Sequence, residues 1–277
     1  MANHPSSFVK YGPADKPPLG QWIPLSIQHV FAMFGATILV PILTGLNPST
    51  ALFTAGTGTL LYILITGAKV PAFLGSSFAF IPALIAISSS YGVAYAMGGA
   101  FVSGLFYTLV AFIIKKSGYA WLNKALPPVV IGSVIVVIGL NLAPTAMGMA
   151  MNDANGNYNL YLLAVAAVTL ALTIVANIFS KGFFSIIPIL LGLLGGYFFA
   201  LILGFIFPQH ALISFAAVKE AAWFGLPTFA LPKFNVVAAV TFIVVSLATI
   251  CEHLGDTLTI SKVVGKDFYK DPGLDRT

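Results

Sequence analysis

Charge is what this sequence has least of. Only 8% of its 277 residues are Asp, Glu, Lys or Arg, whereas 58% are hydrophobic and the mean hydropathy is +0.97. A soluble domain is about one quarter charged, so the chain reads as an integral membrane protein. Cysteine is almost missing: the single Cys251 excludes an internal disulfide and a multi-cysteine metal site, and inside an apolar run it reads as a small hydrophobic residue. The first 20 residues hold Pro5, Pro13, Pro17, Pro18, Lys10 and Lys16 but no apolar core, so no cleavable signal peptide is present. There is no H-E-x-x-H zinc motif, no clustered aspartates and no G-x-S-x-G turn, which argues against an intramembrane enzyme. The net charge of +5 is scattered through short loops, a topological pattern and not a nucleic-acid surface.

What is abundant is long apolar segments. Runs bounded by Gly, Pro, Asn or Lys fall at about 22–45, 50–68, 71–90, 94–115, 126–149, 160–179, 183–207 and 235–261, which predicts eight crossings. The basic residues test that count. With a cytoplasmic start, Lys10, Lys16, Lys69, Lys115, Lys116, Lys124, Lys181, Lys262, Lys266, Lys270 and Arg276 all lie inside, leaving only Lys219 and Lys233 of the 13 outside. Residues 152–159 form a polar, turn-rich outer loop with Asp153 and no lysine. Residues 208–234, with three prolines, Trp223 and Lys219–Glu220, read as an interfacial segment with short extended pieces.

The third run is irregular. Pro71 and Pro82 bracket Gly75, Ser76, Ser77, Phe78, Ala79 and Phe80, so it is expected to open as a short strand before turning helical. Either its backbone lines a cavity, or the prolines merely kink a helix whose serines bond to the preceding turn. Gly56 with Gly58, Gly98 and Gly99 with Gly104, and Gly192 with Gly195 and Gly196 are expected to let helices pack closely. Gln28 and His29 form a polar pair in the first run; a lone histidine there is more often structural than a ligand, and its partners would be polar backbone or the acids of the eighth run.

Those acids are the sharpest signal. Glu252 lies near the bilayer midplane of the eighth run, where a central Asp costs about 2.5–3.5 kcal/mol on insertion scales. Asp256 is one turn further, on nearly the same face, with Gly255 between them leaving room for a neighbouring backbone or a ligand. Repulsion and desolvation favour holding a proton on the pair, which suits coupling to a proton gradient. An ionised carboxylate accepts hydrogen bonds only, so it fits an uncharged ligand with N–H donors. The plain alternative is an ion pair with His253 or with a lysine of another span.

Four segments together resemble the nucleobase/ascorbate (uracil/xanthine) transporter family over nearly the whole chain. They are Pro24–Thr37 (PLSIQHVFAMFGAT), Lys69–Phe80 (KVPAFLGSSFAF), the Glu-His-Leu-Gly-Asp run from Glu252, and Lys270–Arg276 (KDPGLDR). The resemblance implies an all-α fold of fourteen spans in two inverted seven-span repeats, of which this chain would hold one repeat plus the first helix of the second. It implies a cytoplasmic leader (1–21), core-domain spans 1–4 (22–115), gate-domain spans 5–7 (116–207), the extracellular segment 208–234, core span 8 (235–261) and a cytoplasmic tail (262–277). Glu252–His253 would then be the counterpart of Gln28–His29. The chain accordingly reads as the first part of a longer reading frame.

The implied activity is proton-coupled import of a neutral nucleobase across the bacterial cytoplasmic membrane, driven by the proton gradient without a cofactor. Uracil is favoured over xanthine or another purine, and a transport-inactive membrane protein is the contrasting reading. By the resemblance Glu252 accepts the ring N–H, the main chain at Phe78 bonds the ring's polar edge, Ala36 is the small residue beside the base, and His29 supports the site. Asp256 and Glu252 carry proton coupling, with Gln28, Ser77, His253 and Gly255 in support. Asp256 stands where uracil members carry His and purine-type members carry Asp, so pyrimidine-only specificity stays open. Beyond the base and the lipid bilayer no partner is implied, and a homodimer of the full-length form is left open.

Overall fold

The computed structural model describes residues 11–13, 15–153, 155–220, 225 and 227–277. Among them it is almost wholly helical: α1 (Leu19–Thr44), α2 (Pro48–Ile65), α3 (Ile81–Tyr91), α4 (Val93–Ser117), α5 (Ala120–Ala125), α6 (Pro128–Met151), α7 (Leu160–Phe179), α8 (Pro188–Ile206), α9 (Ala216–Glu220) and α10 (Val236–Val264). Seven of these, all but α3, α5 and α9, are long and apolar enough to cross a membrane. The expected third span is α3 alone, preceded by irregular backbone from Val70 to Ser77 and a 3-10 turn at Phe78–Phe80.

Local chemistry explains most of the helix ends. Asn47, Asn159 and Asn235 cap the N-termini of α2, α7 and α10, each side-chain oxygen accepting one or two N–H groups of the first turn. Gly265 closes α10 in the left-handed conformation at φ 73°, which a residue with a Cβ adopts only at a cost. At 29 residues, α10 is about 44 Å long, more than the roughly 30 Å hydrocarbon core, and Glu252 sits near its middle.

The chain divides into two compact units, Met1–Pro17 with Gly35–Leu140 and Pro227–Thr277, and Pro18–Phe34 with Asn141–Leu226. In the second, α7 and α8 pack along each other. A Cβ on Gly192 would fall 1.8 Å from Thr173 Oγ1, and one on Gly196 1.9 Å from Thr169 Oγ1, so the expected small-residue face of α8 is a contact surface. This unit also holds the Pro208–His210 turn and α9; Trp223 and residues 1–10 of the leader lie outside the described residues.

In the first unit α10 packs against α4 and α3. Gly99 admits the fully buried Phe242 ring, where a Cβ would come within 2.4 Å of Cδ2, and Gly98 admits the Lys233 carbonyl at 1.9 Å. Below this seam two hydroxyl pairs join the helices: Ser103 with Ser246 at 2.5 Å, and Tyr107 donating to Thr249 at 2.7 Å. Hydrogen bonds of this kind inside a membrane contribute about 0.6 kcal/mol on average. The tail returns onto the same frame. Phe268 is buried against Tyr62 and Val70, Leu274 against Ile114, Leu122 and Ile131, and the Tyr269 hydroxyl donates to the Leu254 carbonyl at 2.7 Å. Burial, aided by the nearby Asp267 carboxylate, pushes the Tyr269 phenol above its ordinary value.

Two expectations need correction. No strand forms among the described residues, and the only bridge there is an isolated one, Asn152 with Tyr158. A strand needs a neighbour's ladder; instead the Leu74 N–H donates to Thr59 Oγ1 of α2 at 3.0 Å, so the segment is extended but unpaired. Nor do Gly56, Gly58 and Gly104 serve as close-packing positions among the described residues, of which none lies within 4 Å of a Cβ placed on any of them.

Gly98→Ala and Gly99→Ala should therefore lower the thermal unfolding temperature of the detergent-solubilised chain by several degrees or abolish folded protein. Gly104→Ala should be neutral or stabilise by up to about 1 kcal/mol through helix propensity. A Gly98→Ala chain that melts with the parent would refute this packing. The raised Tyr269 phenol stabilises tail docking while it is protonated. Docking read by hydrogen exchange at Phe268 should thus be insensitive to pH up to about 10 and weaken only above it, an effect absent in Tyr269→Phe.

Candidate functional site

The site forms where the irregular third segment meets α10. Thr59, itself bonded to the Ala55 carbonyl at 2.8 Å, holds Leu74 in place, and Gly75 passes close to the buried Thr37 side chain of α1, whose Oγ1 would be 3.3 Å from a Cβ there. Ser77 then caps the 3-10 turn, its Oγ accepting the Ala79 N–H at 3.3 Å, and donates its hydroxyl proton to Glu252 Oε2 at 2.8 Å. That bond spans 175 positions of sequence and ties the broken segment to the buried acid's helix.

The backbone here is unusual. Among the described residues the N–H groups of Gly75, Ser76, Ser77 and Phe78 have no hydrogen-bond partner. Four free donors in a row at membrane depth are tolerated only where they are covered by protein or line a cavity. A cavity of about 850 Å³ lies alongside, lined by Gly75, Ser76 and Ser77, by the hydroxyls of Thr50 and Thr54, and by aromatic faces including Phe80. This resolves the earlier alternative toward the cavity and against a simple proline kink. The Phe80 ring stacks on Phe242 at 5.6 Å, which fixes one aromatic wall. The rim is closed by residues 227–233: Asn47 and Thr50 both bond to Thr228, Phe229 packs edge-on to Phe53, and the Lys233 N–H donates to the Ala94 carbonyl.

Glu252 is partly buried and does not itself line the cavity; Ser77 stands between them, and the second carboxylate oxygen, Oε1, has no partner among the described residues. Asp256 is exposed on the surface of α10 and likewise without a hydrogen bond or ion pair among the described residues, so neither acid is held by His253 or by a lysine. His253 turns to another partner, its Nε2 lying 3.0 Å from Thr277 Oγ1. Gly255 faces α6, where a Cβ would meet Ile135 Cδ1 at 2.8 Å and Ile131 Cγ2 at 3.1 Å, so the space it leaves is filled by side chains. Phe78 opens the 3-10 turn. Gln28 and His29 lie on the part of α1 that belongs to the other compact unit; the Gln28 side-chain oxygen is buried without a hydrogen bond among the described residues, and His29 is exposed. The side chain of Ala36 lies outside the described residues.

Thr37 and Thr59 were not singled out in the sequence. Threonines inside apolar runs ordinarily bond their own helix, as Thr44 does to the Val40 carbonyl, so nothing local marks Thr59, which holds the broken segment, or Thr37, which lies beside it.

Residues 20–277 match the sequence profile of the Permease family. The chain belongs to this permease family. It is 51% identical over 269 residues to the uracil permease of Bacillus caldolyticus, covering 95% of this chain and 61% of that protein. To the uracil permease of Bacillus subtilis (strain 168) it is 48% identical over 279 residues, 97% of this chain and 62% of that protein. To that of Escherichia coli (strain K12) it is 43% identical over 269 residues, 96% and 61% respectively. The chain thus spans somewhat over three fifths of the length of these relatives. Family membership and seven long apolar helices make it a multi-pass, all-α membrane protein.

Ser77→Ala should leave Glu252 without its donor. The double-mutant cycle of Ser77→Ala with Glu252→Ala, read by thermal unfolding in detergent, should return a coupling of about 0.6–1.7 kcal/mol. Additive effects would mean that the 2.8 Å contact carries no energy.

Proposed function

We propose that the protein is a proton-coupled symporter that imports uracil across the bacterial cytoplasmic membrane. The observation that carries this reading is the combination of N–H donors at Gly75–Phe78, unpartnered among the described residues, with the Ser77–Glu252 hydrogen bond beside an aromatic-walled cavity. A pyrimidine base presents carbonyl oxygens that accept from such N–H groups, ring N–H groups that donate to a carboxylate, and a flat face that lies on an aromatic wall. The relatives named uracil permease support the same substrate.

In this mechanism the base displaces or shares the Ser77 hydroxyl at Glu252, and its ring N–H bonds the carboxylate while the Phe78 main chain receives its carbonyl edge. Glu252 and Asp256, four residues apart on α10, exchange the coupled proton; Asp256 is the more accessible of the two and so the better entry point. Ala36 and His29 keep the substrate-side roles that the family resemblance implies, with Gln28 and His253 in support. Core and gate segments move relative to each other around this point, within a fold of two inverted repeats and with the N-terminus cytoplasmic. A full-length homodimer belongs to the same reading. Xanthine or another purine is the second reading, favoured by the identity of Asp256 alone.

Uptake of radiolabelled uracil by cells expressing the protein should be saturable, abolished by a protonophore, and little affected by a hundredfold excess of unlabelled xanthine. Strong competition by xanthine selects the purine reading, and uptake indifferent to both bases overturns the proposal. Glu252→Gln keeps an acceptor for Ser77 but loses the charge, and should weaken uracil binding by at least tenfold to a hundredfold. Asp256→Asn should preserve binding and flatten the pH dependence of uptake. Equal uracil affinity in the parent and Glu252→Gln would remove Glu252 from the binding role.

A further inference from the structure

A second groove, of about 660 Å³, opens where the C-terminal end of α10 meets α5 and the start of α6. Its floor is apolar, made by Leu126, Pro128, Ile131 and Leu258, and its rim carries Lys262 and Lys266. These two lysines are four residues apart, both are exposed, and neither pairs with an acid among the described residues. The one acid at the rim, Asp267, is taken by Lys270 at 3.6 Å, so the groove presents two unbalanced positive charges. Tyr119 adds a phenol hydroxyl with no hydrogen bond among the described residues, its ring held edge-on by Tyr269 at 5.9 Å.

We propose that this groove binds an anionic phospholipid, with Lys262, Lys266 and the Tyr119 hydroxyl on the phosphodiester and the upper acyl chain on Leu126, Ile131 and Leu258. The positive-inside tendency explains why lysines occur at the end of a span, but it does not require them to border an apolar groove. The combination of unpaired cations, a hydroxyl donor and a greasy floor is the complement of a lipid headgroup and its first methylenes, and the volume far exceeds what a free phosphate fills. The position gives such a lipid a lever. Ile131 of the floor also faces Gly255, between Glu252 and Asp256, so an occupant of the groove braces α6 against the stretch of α10 that bears both acids. The inference goes beyond the transport reading and stands without it, since it needs only that α10 ends at a membrane surface.

Native mass spectrometry of the purified protein, titrated with phosphatidylglycerol and with phosphatidylcholine of the same acyl chains, tests it. Phosphatidylglycerol should bind at least about tenfold tighter. Lys262→Gln with Lys266→Gln should weaken it roughly thirtyfold and leave phosphatidylcholine unchanged. A charge-matched control, Lys115→Gln with Lys181→Gln, should bind as the parent does. Equal retention of the two lipids, equal weakening in the control, or displacement of phosphatidylglycerol by equimolar inorganic phosphate would each overturn the proposal. All four lysines are exposed, so unaltered melting in phosphatidylcholine confirms that each variant is folded.

Discussion

A chain crossing a bilayer cannot leave backbone N–H groups facing lipid, and residues 70–78 are where this protein meets that constraint without a helix to satisfy it. The surrounding structure is organised around the deficit. Thr59 of α2 satisfies Leu74, Ser77 satisfies Ala79 and reaches Glu252, and of the donors left without a partner among the described residues those of Gly75, Ser76 and Ser77 border a cavity instead of hydrocarbon. The same feature that would be a defect in a plain span therefore supplies an array of oriented donors that costs no reorganisation when a ligand with acceptor atoms arrives.

The frame that holds this arrangement is α4 against α10. Gly98 and Gly99 bring the two helices close, and the Ser103–Ser246 and Tyr107–Thr249 pairs lock their register within two turns of Glu252. Register matters because a one-residue rotation of α10 turns Glu252 by about 100° away from Ser77. The docked tail pins the far end of α10 through Phe268, Tyr269 and Leu274, and the Lys69–Asp271 ion pair adds an exposed tie to the start of the broken segment. As an exposed pair it contributes little, so the tie rests on the apolar contacts.

The two acids emerge with different surroundings despite sharing a helix face in the sequence. Glu252 is partly buried and hydrogen-bonded, while Asp256 is exposed and unpartnered among the described residues. A helix wheel places them together because it knows only the angle between residues. The neighbours decide the rest: the broken segment reaches one acid and not the other. The same distinction separates the glycines. Gly98, Gly99, Gly192 and Gly196 meet a partner, whereas Gly56, Gly58 and Gly104 have the same sequence appearance and meet none of the described residues within 4 Å.

What the sequence determined by itself is what depends on local composition and spacing. The apolar runs and their asparagine caps set the long helices, Pro71 and Pro82 broke the third, and an acid near the centre of an apolar run set α10 apart from the other spans. Each of these follows from transfer energies or backbone geometry of a few adjacent residues. Only the tertiary structure decided that Ser77 is the partner of Glu252, that Thr59 holds Leu74 while Thr37 lies beside Gly75, that the segment forms no strand among the described residues, and that the tail folds back onto α10. Those outcomes join residues up to 175 positions apart, and which of many chemically equivalent hydroxyls or glycines finds a partner is set by how whole helices pack.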